Sequence, residues 1–255
     1  MDGSPSGASS ASHPPDLPGP PIHPFHRAVR YWLARAVATL LVHAYLRVRL
    51  EGRQRLPDGP CLLCFNHQSW TDPFLLLACL PWHRRLYVFG PREEDMRRGT
   101  RNRLITFVGN GIPYRPSKDD LLGVTRRVQA ILDAGGVVAI APEGRIHAGE
   151  GTLLPFDEGA AYFALRASVP IVPLALNGTS WLSFGRRIRV RVGEPIVPAG
   201  RPTRAAVSAY TEQAWQALHA LVQGYPDASP PGPFGRWVTE LFNDWPEGER
   251  PLPSA

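Results

Sequence analysis

Short apolar runs separated by helical patterns constrain the fold of this chain more strongly than any other feature. Each run, found between about Gly52 and Pro198, has the length of a strand, and the segments between them repeat apolar residues at helical spacing. The predicted strands are Cys61–Phe65, Leu86–Phe89, Val137–Ala141, Ile171–Leu176 and Ile188–Val192, and the predicted helices lie near Pro73–Leu80, Leu121–Ala134, Gly159–Ala167 and Thr203–Gln223. This alternation favours an α/β fold with a mixed, mostly parallel sheet flanked by helices.

The last of these runs has a pattern of its own. Arg189 and Arg191 alternate with Ile188, Val190 and Val192, so one side of the strand is charged and the other is apolar. This alternation is typical of a strand with one solvated face, and we expect the strand to lie at an edge of the sheet.

Changes in composition divide the chain into four parts. Residues 1–24 form a tail rich in Pro, Ser and Gly that we expect to be disordered, because it holds too little apolar surface to fold alone. Residues 25–51 form an amphipathic helical segment for membrane association, residues 52–224 form the main domain, and residues 225–255 form a proline-rich tail with a short aromatic helix. We expect the aromatic stripe of that helix to dock on the core, with contact to lipid as the alternative.

The segment before the main domain carries two stripes at helical spacing. The apolar stripe consists of Leu33, Val37, Leu40, Leu41, Ala44 and Val48, and the polar stripe consists of Arg35, Thr39, His43 and Arg47. Its longest stretch without a charged or histidine residue, Ala36–Val42, is far shorter than the roughly 20 residues that a spanning helix needs. A helix lying in the membrane interface and a helix packed on the core both fit this pattern. In the first placement, Arg30, Arg35 and Arg47 would reach lipid phosphates.

Charge and cysteine content bound the partners of the chain. Its 255 residues carry 28 Lys and Arg against 22 Asp and Glu, a net charge of +6, which suits an anionic membrane surface or a nucleotide-like ligand. The sequence shows no nucleic-acid-binding motif and no signal-peptide pattern.

Cys61 and Cys64 form a CxxC inside a predicted buried strand, without a second ligand pair at zinc spacing. We therefore expect buried thiols in a reducing compartment and predict no metal site.

A histidine and an aspartate stand five positions apart directly after the first predicted strand, in Asn66-His67-Gln68-Ser69-Trp70-Thr71-Asp72. Neutral imidazole is the usual general base near neutral pH, and a carboxylate that fixes its tautomer makes it more effective. On one regular helix the two residues would lie about 140° apart and could not meet. We therefore expect His67 in a strand-to-helix turn and Asp72 at the start of the next helix, where Ser69 or Asp72 could serve as the cap.

A second polar segment, Ala141-Pro142-Glu143-Gly144, follows another predicted strand. Together, NHxSxxD and PEG resemble the signature of the glycerolipid acyltransferase family, the 1-acylglycerol-3-phosphate O-acyltransferase or PlsC-like group. The resemblance implies transfer of a fatty acyl group from a thioester to the hydroxyl of lysophosphatidic acid. It makes His67 the general base and Asp72 its partner, and it implies no covalent acyl-enzyme.

The resemblance covers more than half of the chain and supplies the expected substrate-binding residues. It places Glu143 and Gly144 in the acceptor site. The threonine and arginine that usually follow in the family are absent here, and we expect Arg145 to supply the missing cation. The position of the family's phosphate-binding arginine falls on Arg115 or on Pro116, depending on the alignment, and we nominate Arg115. Residues 169–174 match a further family block.

The resemblance also implies the partners and the location. The acyl donor would be acyl-CoA or acyl-carrier-protein, used as a substrate, with no bound cofactor. The acceptor would be a lysophospholipid among the membrane lipids, which places the protein at the cytoplasmic face of the membrane as a peripheral or monotopic protein. No nucleic-acid partner is expected.

Three other functions remain for comparison. The altered third block keeps open an acyltransferase that acts on another lysolipid or lipid hydroxyl. A lipid-binding scaffold without activity is an alternative of another class, although His67, Asp72, Glu143 and Gly144 are all intact. A serine hydrolase is disfavoured because the sequence contains no G-x-S-x-G segment.

Overall fold

The computed structural model of this chain describes residues 24–92, 107–114, 121–147 and 149–243. Its strands are β1 (Leu46–Glu51), β2 (Cys61–Phe65), β3 (Leu86–Arg92), β4 (Gly111–Tyr114), β5 (Val137–Ile140), β6 (Ile171–Asn177) and β7 (Arg186–Val192). Its helices are α1 (Pro24–Tyr45), α2 (Asp72–Cys79), α3 (Leu121–Asp133), α4 (Gly159–Ala167), α5 (Arg204–Val222) and α6 (Pro233–Phe242), with a 3-10 turn over Arg53–Arg55. Residues 1–23 of the predicted N-terminal tail and the residues after Asn243 lie outside the described part.

The described strands form one sheet in the order β1-β7-β6-β2-β5-β3-β4. Neighbouring strands are parallel in every pair except β6 and β7, which run antiparallel. At the centre, Leu62 of β2 lies opposite Val138 of β5 on one side and Ile171 of β6 on the other. The mixed, mostly parallel α/β sheet predicted from the sequence is confirmed.

Helices cover both faces of the sheet, and β2 shows how the core divides between them. Leu62 and Cys64 join side chains of α3, α4 and α5, whereas Cys61, Leu63 and Phe65 join α1 and α2 on the opposite face. Every residue of β2 is buried, as expected for an interior strand of a parallel sheet. This burial raises the pKa of Cys61 to about 11, so its thiol stays protonated at neutral pH. The prediction of buried thiols is confirmed.

The edge of the sheet differs from the prediction. β7 lies between β6 and β1, so it is not an edge strand, and the edge position belongs to β1. In the parallel β1–β7 pair, Val48 lies opposite Ile188 and Arg49 lies opposite Arg189. Both strands therefore alternate apolar and charged residues with a period of two, which fits a strand and not a helix. The helical segment predicted for residues 25–51 ends at Tyr45.

Helix α1 turns Arg35 of its predicted polar stripe toward the protein, whereas His43 of the same stripe is exposed. Arg35 is fully buried. Its guanidinium donates to the main-chain carbonyls of Leu77, Leu80, Pro81 and Arg84 at distances of 2.9, 2.6, 3.1 and 2.7 Å, respectively. Leu77 lies in the last turn of α2, where helix geometry leaves carbonyls without partners, and the other three carbonyls lie between α2 and β3. The expectation that Arg35 reaches lipid is therefore wrong, because this cation fastens α1 to the domain.

The apolar stripe of α1 faces outward. Leu33, Val37, Leu40 and Leu41 are 61%, 48%, 70% and 62% exposed. The inner face is built around Tyr31, which is buried and accepts a hydrogen bond from the main-chain N–H of Leu86 at 2.9 Å. Helix α1 therefore packs on the core through this inner face and leaves the apolar stripe exposed. None of the helices among the described residues is long and apolar enough to cross a membrane.

Helix α6 docks on the domain through a polar residue. Thr239 is fully buried and its hydroxyl accepts a hydrogen bond from the main-chain N–H of Leu182 at 2.8 Å. A Cβ at Gly235 would lie 2.8 Å from the Leu182 carbonyl, so glycine permits this close approach. Phe234 and Trp237 are 64% and 57% exposed. The expectation that the aromatic stripe docks on the core is therefore wrong for these two residues.

Candidate active site

The predicted motifs meet at one edge of the sheet. Residues 66–72 follow β2, and residues 141–144 follow β5, the neighbouring parallel strand. Parallel strands end at the same edge, so the two loops lie side by side, where open α/β sheets place their ligand sites. β4 ends at this edge too, but Arg115, the residue after it, lies outside the described residues.

Asp72 organises the turn that follows β2. It is the first residue of α2 and is fully buried. Its Oδ2 lies 3.0 Å from His67 Nδ1, and it accepts hydrogen bonds from the main-chain N–H groups of Gln68 and Ser69 at 2.9 Å each. The predicted strand-to-helix turn is confirmed. The Asp72 carboxylate binds the turn that precedes α2 and does not cap the helix, whose N-cap is Thr71.

The contact with Asp72 defines the tautomer of His67. A carboxylate only accepts hydrogen bonds, so His67 Nδ1 carries the shared hydrogen and Nε2 keeps its lone pair when the ring is neutral. The His67 side chain is 21% exposed, whereas the Asp72 side chain has no exposed surface. The pair therefore combines a basic ring that a ligand can reach with a buried anion that can stabilise its protonated form.

Glu143 fixes the main chain of His67. Its Oε1 accepts from the main-chain N–H of His67 at 2.9 Å, and its Oε2 accepts from that of Leu154 at 2.8 Å. His147 Nε2 lies 2.6 Å from the same Oε2, and His147 N donates to the His67 carbonyl at 3.1 Å. Both Glu143 oxygens have protein partners and the side chain has no exposed surface. This carboxylate therefore lies beneath the turn and is not open to a ligand.

Strand β6 and the loop after it hold the other side of the turn. The Asn66 amide donates to the Leu176 carbonyl at 2.9 Å and accepts from its N–H at 2.7 Å. The Gln68 amide donates to the Gly149 carbonyl at 3.1 Å and accepts from the Thr179 hydroxyl at 3.2 Å. These buried amides continue the hydrogen bonding where the β2 ladder stops, so the turn is fixed from two neighbouring strands.

Gly144 and Arg145 are the exposed part of the second motif. Gly144 has a φ of 70°, a conformation that favours glycine, and a Cβ there would lie 3.1 Å from Asp157 Oδ2. Arg145 follows it at the same edge of the sheet. The structure thus brings together, at the ends of β2 and β5, the predicted site residues His67, Asp72, Glu143, Gly144 and Arg145.

The sequence of this region matches a known family. The sequence model of the family described as Acyltransferase matches residues 47–177, which are more than half of the chain. The chain belongs to the Acyltransferase family. The matched region runs from β1 to the end of β6, so it includes the His67 turn and the Glu143 loop of this acyltransferase-family protein.

Individual relatives of this acyltransferase-family chain carry two kinds of name. The chain is 26% identical over 157 residues to the 1-acyl-sn-glycerol-3-phosphate acyltransferase BAT2 of Brassica napus. The aligned region covers 61% of this chain and 44% of that protein. The chain is 33% identical over 162 residues to the lyso-ornithine lipid O-acyltransferase of Pseudomonas aeruginosa, covering 63% and 58%, respectively. The chain thus spans about half the length of these relatives.

A solved structure supports the fold. The crystal structure of the 1-acyl-sn-glycerophosphate acyltransferase PlsC from Thermotoga maritima resembles this chain with a TM-score of 0.55. The similarity covers 78% of this chain and 81% of that one, at 19% sequence identity. At this identity the likeness shows a shared α/β fold.

Three residues that were not expected from the sequence contribute to the site: His147, Glu150 and Asn243. His147 contacts Glu143, and Asn243 contacts the turn after β2. Only His147 carries a local signal, because it stands four positions after Glu143 in the same motif. Glu150 and Asn243 reach the site through tertiary structure that no sequence spacing encodes.

Glu150 is a fully buried carboxylate near the turn. It accepts hydrogen bonds from the main-chain N–H of Gly178 at 2.7 Å and from the N–H and hydroxyl of Ser180 at 3.2 and 2.5 Å. Burial raises the pKa of Glu150, the hydrogen bonds oppose this effect, and the negative charge of Asp72 adds to it. Glu150 therefore joins the loop after β5 to the loop after β6, and the free-energy cost of burying its charge depends on pH.

The raised pKa of Glu150 predicts how stability depends on pH. A carboxyl group with a higher pKa in the folded state binds more protons there, so its stabilising contribution is lost as pH rises through the folded pKa. We expect the free energy of unfolding of the wild type to fall with pH more steeply than that of Glu150→Gln. Urea denaturation between about pH 4 and pH 8 measures both. Glu158→Gln, which changes an exposed carboxylate, is the control, and parallel curves for wild type and Glu150→Gln would contradict the prediction.

Proposed function

We propose that this protein is an O-acyltransferase that moves a fatty acyl group from a thioester to the hydroxyl of lysophosphatidic acid. His67 acts as the general base and Asp72 as its partner. The observation that carries the proposal is the 3.0 Å contact between His67 Nδ1 and the buried Oδ2 of Asp72, in a turn held from two sides. Membership of the Acyltransferase family supports the reaction class, and the name of the Brassica napus relative supports the acceptor.

The proposed reaction proceeds by direct attack. His67 Nε2 removes the proton of the acceptor hydroxyl as the oxygen attacks the thioester carbonyl carbon, which forms the new C–O bond. The C–S bond then breaks, and the leaving thiolate takes the proton from the imidazolium, which restores neutral His67. Asp72 stabilises the imidazolium between these two proton transfers. Acyl-CoA and acyl-carrier-protein both present the required thioester, and the reaction needs no bound cofactor.

The acceptor is assigned to the loops at the ends of β4 and β5. We assign the phosphate of the acceptor to Arg115, which follows β4, because a guanidinium binds phosphate through paired hydrogen bonds. We assign Gly144 and Arg145, which are exposed after β5, to the same acceptor site. Glu143 was expected to bind the acceptor as well, but both of its oxygens have protein partners. Its proposed role is therefore to hold the main chain of His67.

A second acceptor class is supported by one comparison and one departure from the family pattern. The chain is 33% identical to a lyso-ornithine lipid O-acyltransferase over 162 residues. In addition, Arg145 and Ile146 replace the threonine and arginine usual in the third block. The alternative function is acyl transfer to another lysolipid or lipid hydroxyl. It predicts faster turnover of such an acceptor than of lysophosphatidic acid, whereas an inactive scaffold predicts turnover of neither.

We propose that the outward face of α1 binds the cytoplasmic face of the membrane, in a peripheral or monotopic manner. The apolar stripe of α1 is exposed, and its interior side is occupied by Tyr31 and Arg35. Trp32, 36% exposed, stacks on Trp82, 45% exposed, with ring centroids 5.9 Å apart. Tryptophan is enriched at membrane interfaces because its ring is apolar and its N–H is polar. Such a location brings the protein to a lipid acceptor.

Replacing His67 or Asp72 should remove activity and leave the fold intact. We expect His67→Ala to lower kcat about a thousandfold or more, because the base is lost. Asp72→Asn should lower kcat by about two to four orders of magnitude, because it no longer stabilises the imidazolium. Labelled acyl transfer from each thioester donor to lysophosphatidic acid measures both variants. His43→Ala changes an exposed histidine of α1 and serves as the control. Wild-type turnover by His67→Ala would rule out this base.

Replacing Arg115 should weaken binding of the phosphate-bearing acceptor. We expect Arg115→Ala to raise KM for lysophosphatidic acid by roughly ten- to a hundredfold, the cost of one charged contact. The value of kcat should change little, because the phosphate contact is the same in the ground state and the transition state. A monoacylglycerol lacks the phosphate, and its KM should be unchanged. Arg166→Ala, at an exposed position of α4, is the control variant. An unaltered KM for lysophosphatidic acid would assign the phosphate to another residue.

Replacing the outward apolar residues of α1 should weaken membrane binding. We expect Leu33→Gln/Val37→Gln/Leu40→Gln to reduce partitioning at least about tenfold, since each side chain loses its burial in lipid. Sedimentation with vesicles of equal parts phosphatidylglycerol and phosphatidylcholine measures the partition coefficient. The matched control is Leu121→Gln/Leu122→Gln/Val197→Gln, which changes three exposed apolar residues elsewhere. Equal losses in both triple variants would argue against α1 as the specific contact.

A further inference from the structure

The end of α6 contacts the turn that carries the proposed base. Asn243 follows the last residue of α6 and is 4% exposed. Its Oδ1 accepts hydrogen bonds from the Ser69 hydroxyl and from the main-chain N–H of Trp70, both at 2.9 Å. A main-chain N–H only donates, which identifies the Asn243 atom facing Trp70 as the amide oxygen. The side chain that follows α6 thus binds two successive residues of the turn.

Ser69 connects Asn243 to the proposed catalytic pair. The Ser69 oxygen accepts from the main-chain N–H of Thr71 at 3.1 Å, while its single hydrogen is directed to Asn243. The main-chain N–H of the same Ser69 donates to Asp72 Oδ2 at 2.9 Å. Asp72 Oδ2 in turn contacts His67. A continuous series of hydrogen bonds therefore runs from Asn243 through Ser69 and Asp72 to His67.

Helix α6 is itself fixed to the domain, so Asn243 has a defined position. The Thr239 hydroxyl accepts from Leu182 N, and Gly235 allows the helix to approach the Leu182 carbonyl closely. The main-chain N–H of Asn243 donates to the Thr239 carbonyl at 2.9 Å, which places the side chain one turn beyond the anchor. Because the Asn243 side chain is already held in place, it can restrict the turn with little further loss of conformational entropy in each catalytic cycle.

We infer that Asn243 is a positioning residue for acyl transfer, which links the end of α6 to the active site. The inference rests on the proposed function, in which His67 and Asp72 carry the chemistry. Asn243 touches neither of them and acts through Ser69 and Trp70, holding the turn in the geometry that places Asp72 Oδ2 against His67 Nδ1. It lies outside the region that matches the family, residues 47–177, so the family signature does not contain it.

Asn243→Leu removes the acceptor and keeps the approximate volume of the side chain. We expect kcat for lysophosphatidic acid to fall about tenfold or more, because displacing the base by a fraction of an ångström slows proton transfer. The KM should stay within about twofold of the wild-type value. Asn243→Asp restores an acceptor oxygen at the same position, and we expect it to recover most of the lost kcat. Asn110→Leu is the matched control for general destabilisation. Asn110 is another buried asparagine, and it directly precedes β4, at the end of that strand remote from the site.

A double-variant experiment separates positioning from a purely structural effect. If Asn243 acts through Asp72, then Asn243→Leu should lower the kcat of Asp72→Asn by less than about twofold, because the oriented pair is already lost. An additional tenfold loss in that background would show independent effects and overturn the inference. Full activity of Asn243→Leu in an active protein would also overturn it, and the proposed function would stand. Absence of transfer by the wild type would overturn the proposed function and, with it, this inference.

Discussion

The candidate site depends on the hydrogen bonds that converge on one buried oxygen, Oδ2 of Asp72. Two main-chain N–H groups fold the turn around this oxygen, and the same oxygen contacts the ring of His67. A regular helix cannot bring residues five positions apart together, so this carboxylate both builds the turn and benefits from it. Oδ2 of Asp72 fixes both the main chain of the turn and the tautomer of His67. The position of the base is therefore set by the local fold.

Buried charged groups join separate segments elsewhere in this protein too. Arg35 attaches α1 to the end of α2 by donating to carbonyls, and Glu143 attaches the loop after β5 to the turn after β2. Glu150 joins the loops after β5 and β6 in a similar way. A buried charge is tolerated only where hydrogen bonds replace the lost water, so each of these contacts sets a specific position for its partner segment. The edge of the sheet that carries the motifs is therefore held by directed contacts in addition to apolar packing.

The sequence predicts the centre of the fold well because its signals there are local. β2, β5 and β6 are apolar runs buried on both faces, and α4 begins and ends where its apolar spacing predicts. β1 is not predicted, because its alternating leucines and valine also continue the helical spacing of α1. The short β4 contains a proline and gives a weak strand signal.

The contacts in and around the candidate site are likewise predictable from the sequence only where they are local. The turn with His67 and Asp72 follows from two motif residues and the geometry of helices. The inward direction of Arg35 depends on carbonyls some forty residues away in sequence, which no local pattern encodes. The contact between Asn243 and Ser69 joins residues separated by 174 positions and depends on the docking of α6. Interactions of this kind appear only when tertiary structure brings the segments together.

Direct acyl transfer promoted by His67 and Asp72 can be tested in a single-turnover experiment. Excess protein is mixed with acyl-CoA labelled in the acyl chain, together with lysophosphatidic acid, and the reaction is quenched at increasing times. We expect the label to pass to the acceptor as free thiol appears in equal amount, with no label attached covalently to the protein at any time. Label that accumulates on the protein before it reaches the acceptor would contradict direct transfer. A wild-type protein that releases no thiol with any thioester donor or lysolipid acceptor would contradict the assignment of an acyltransferase site.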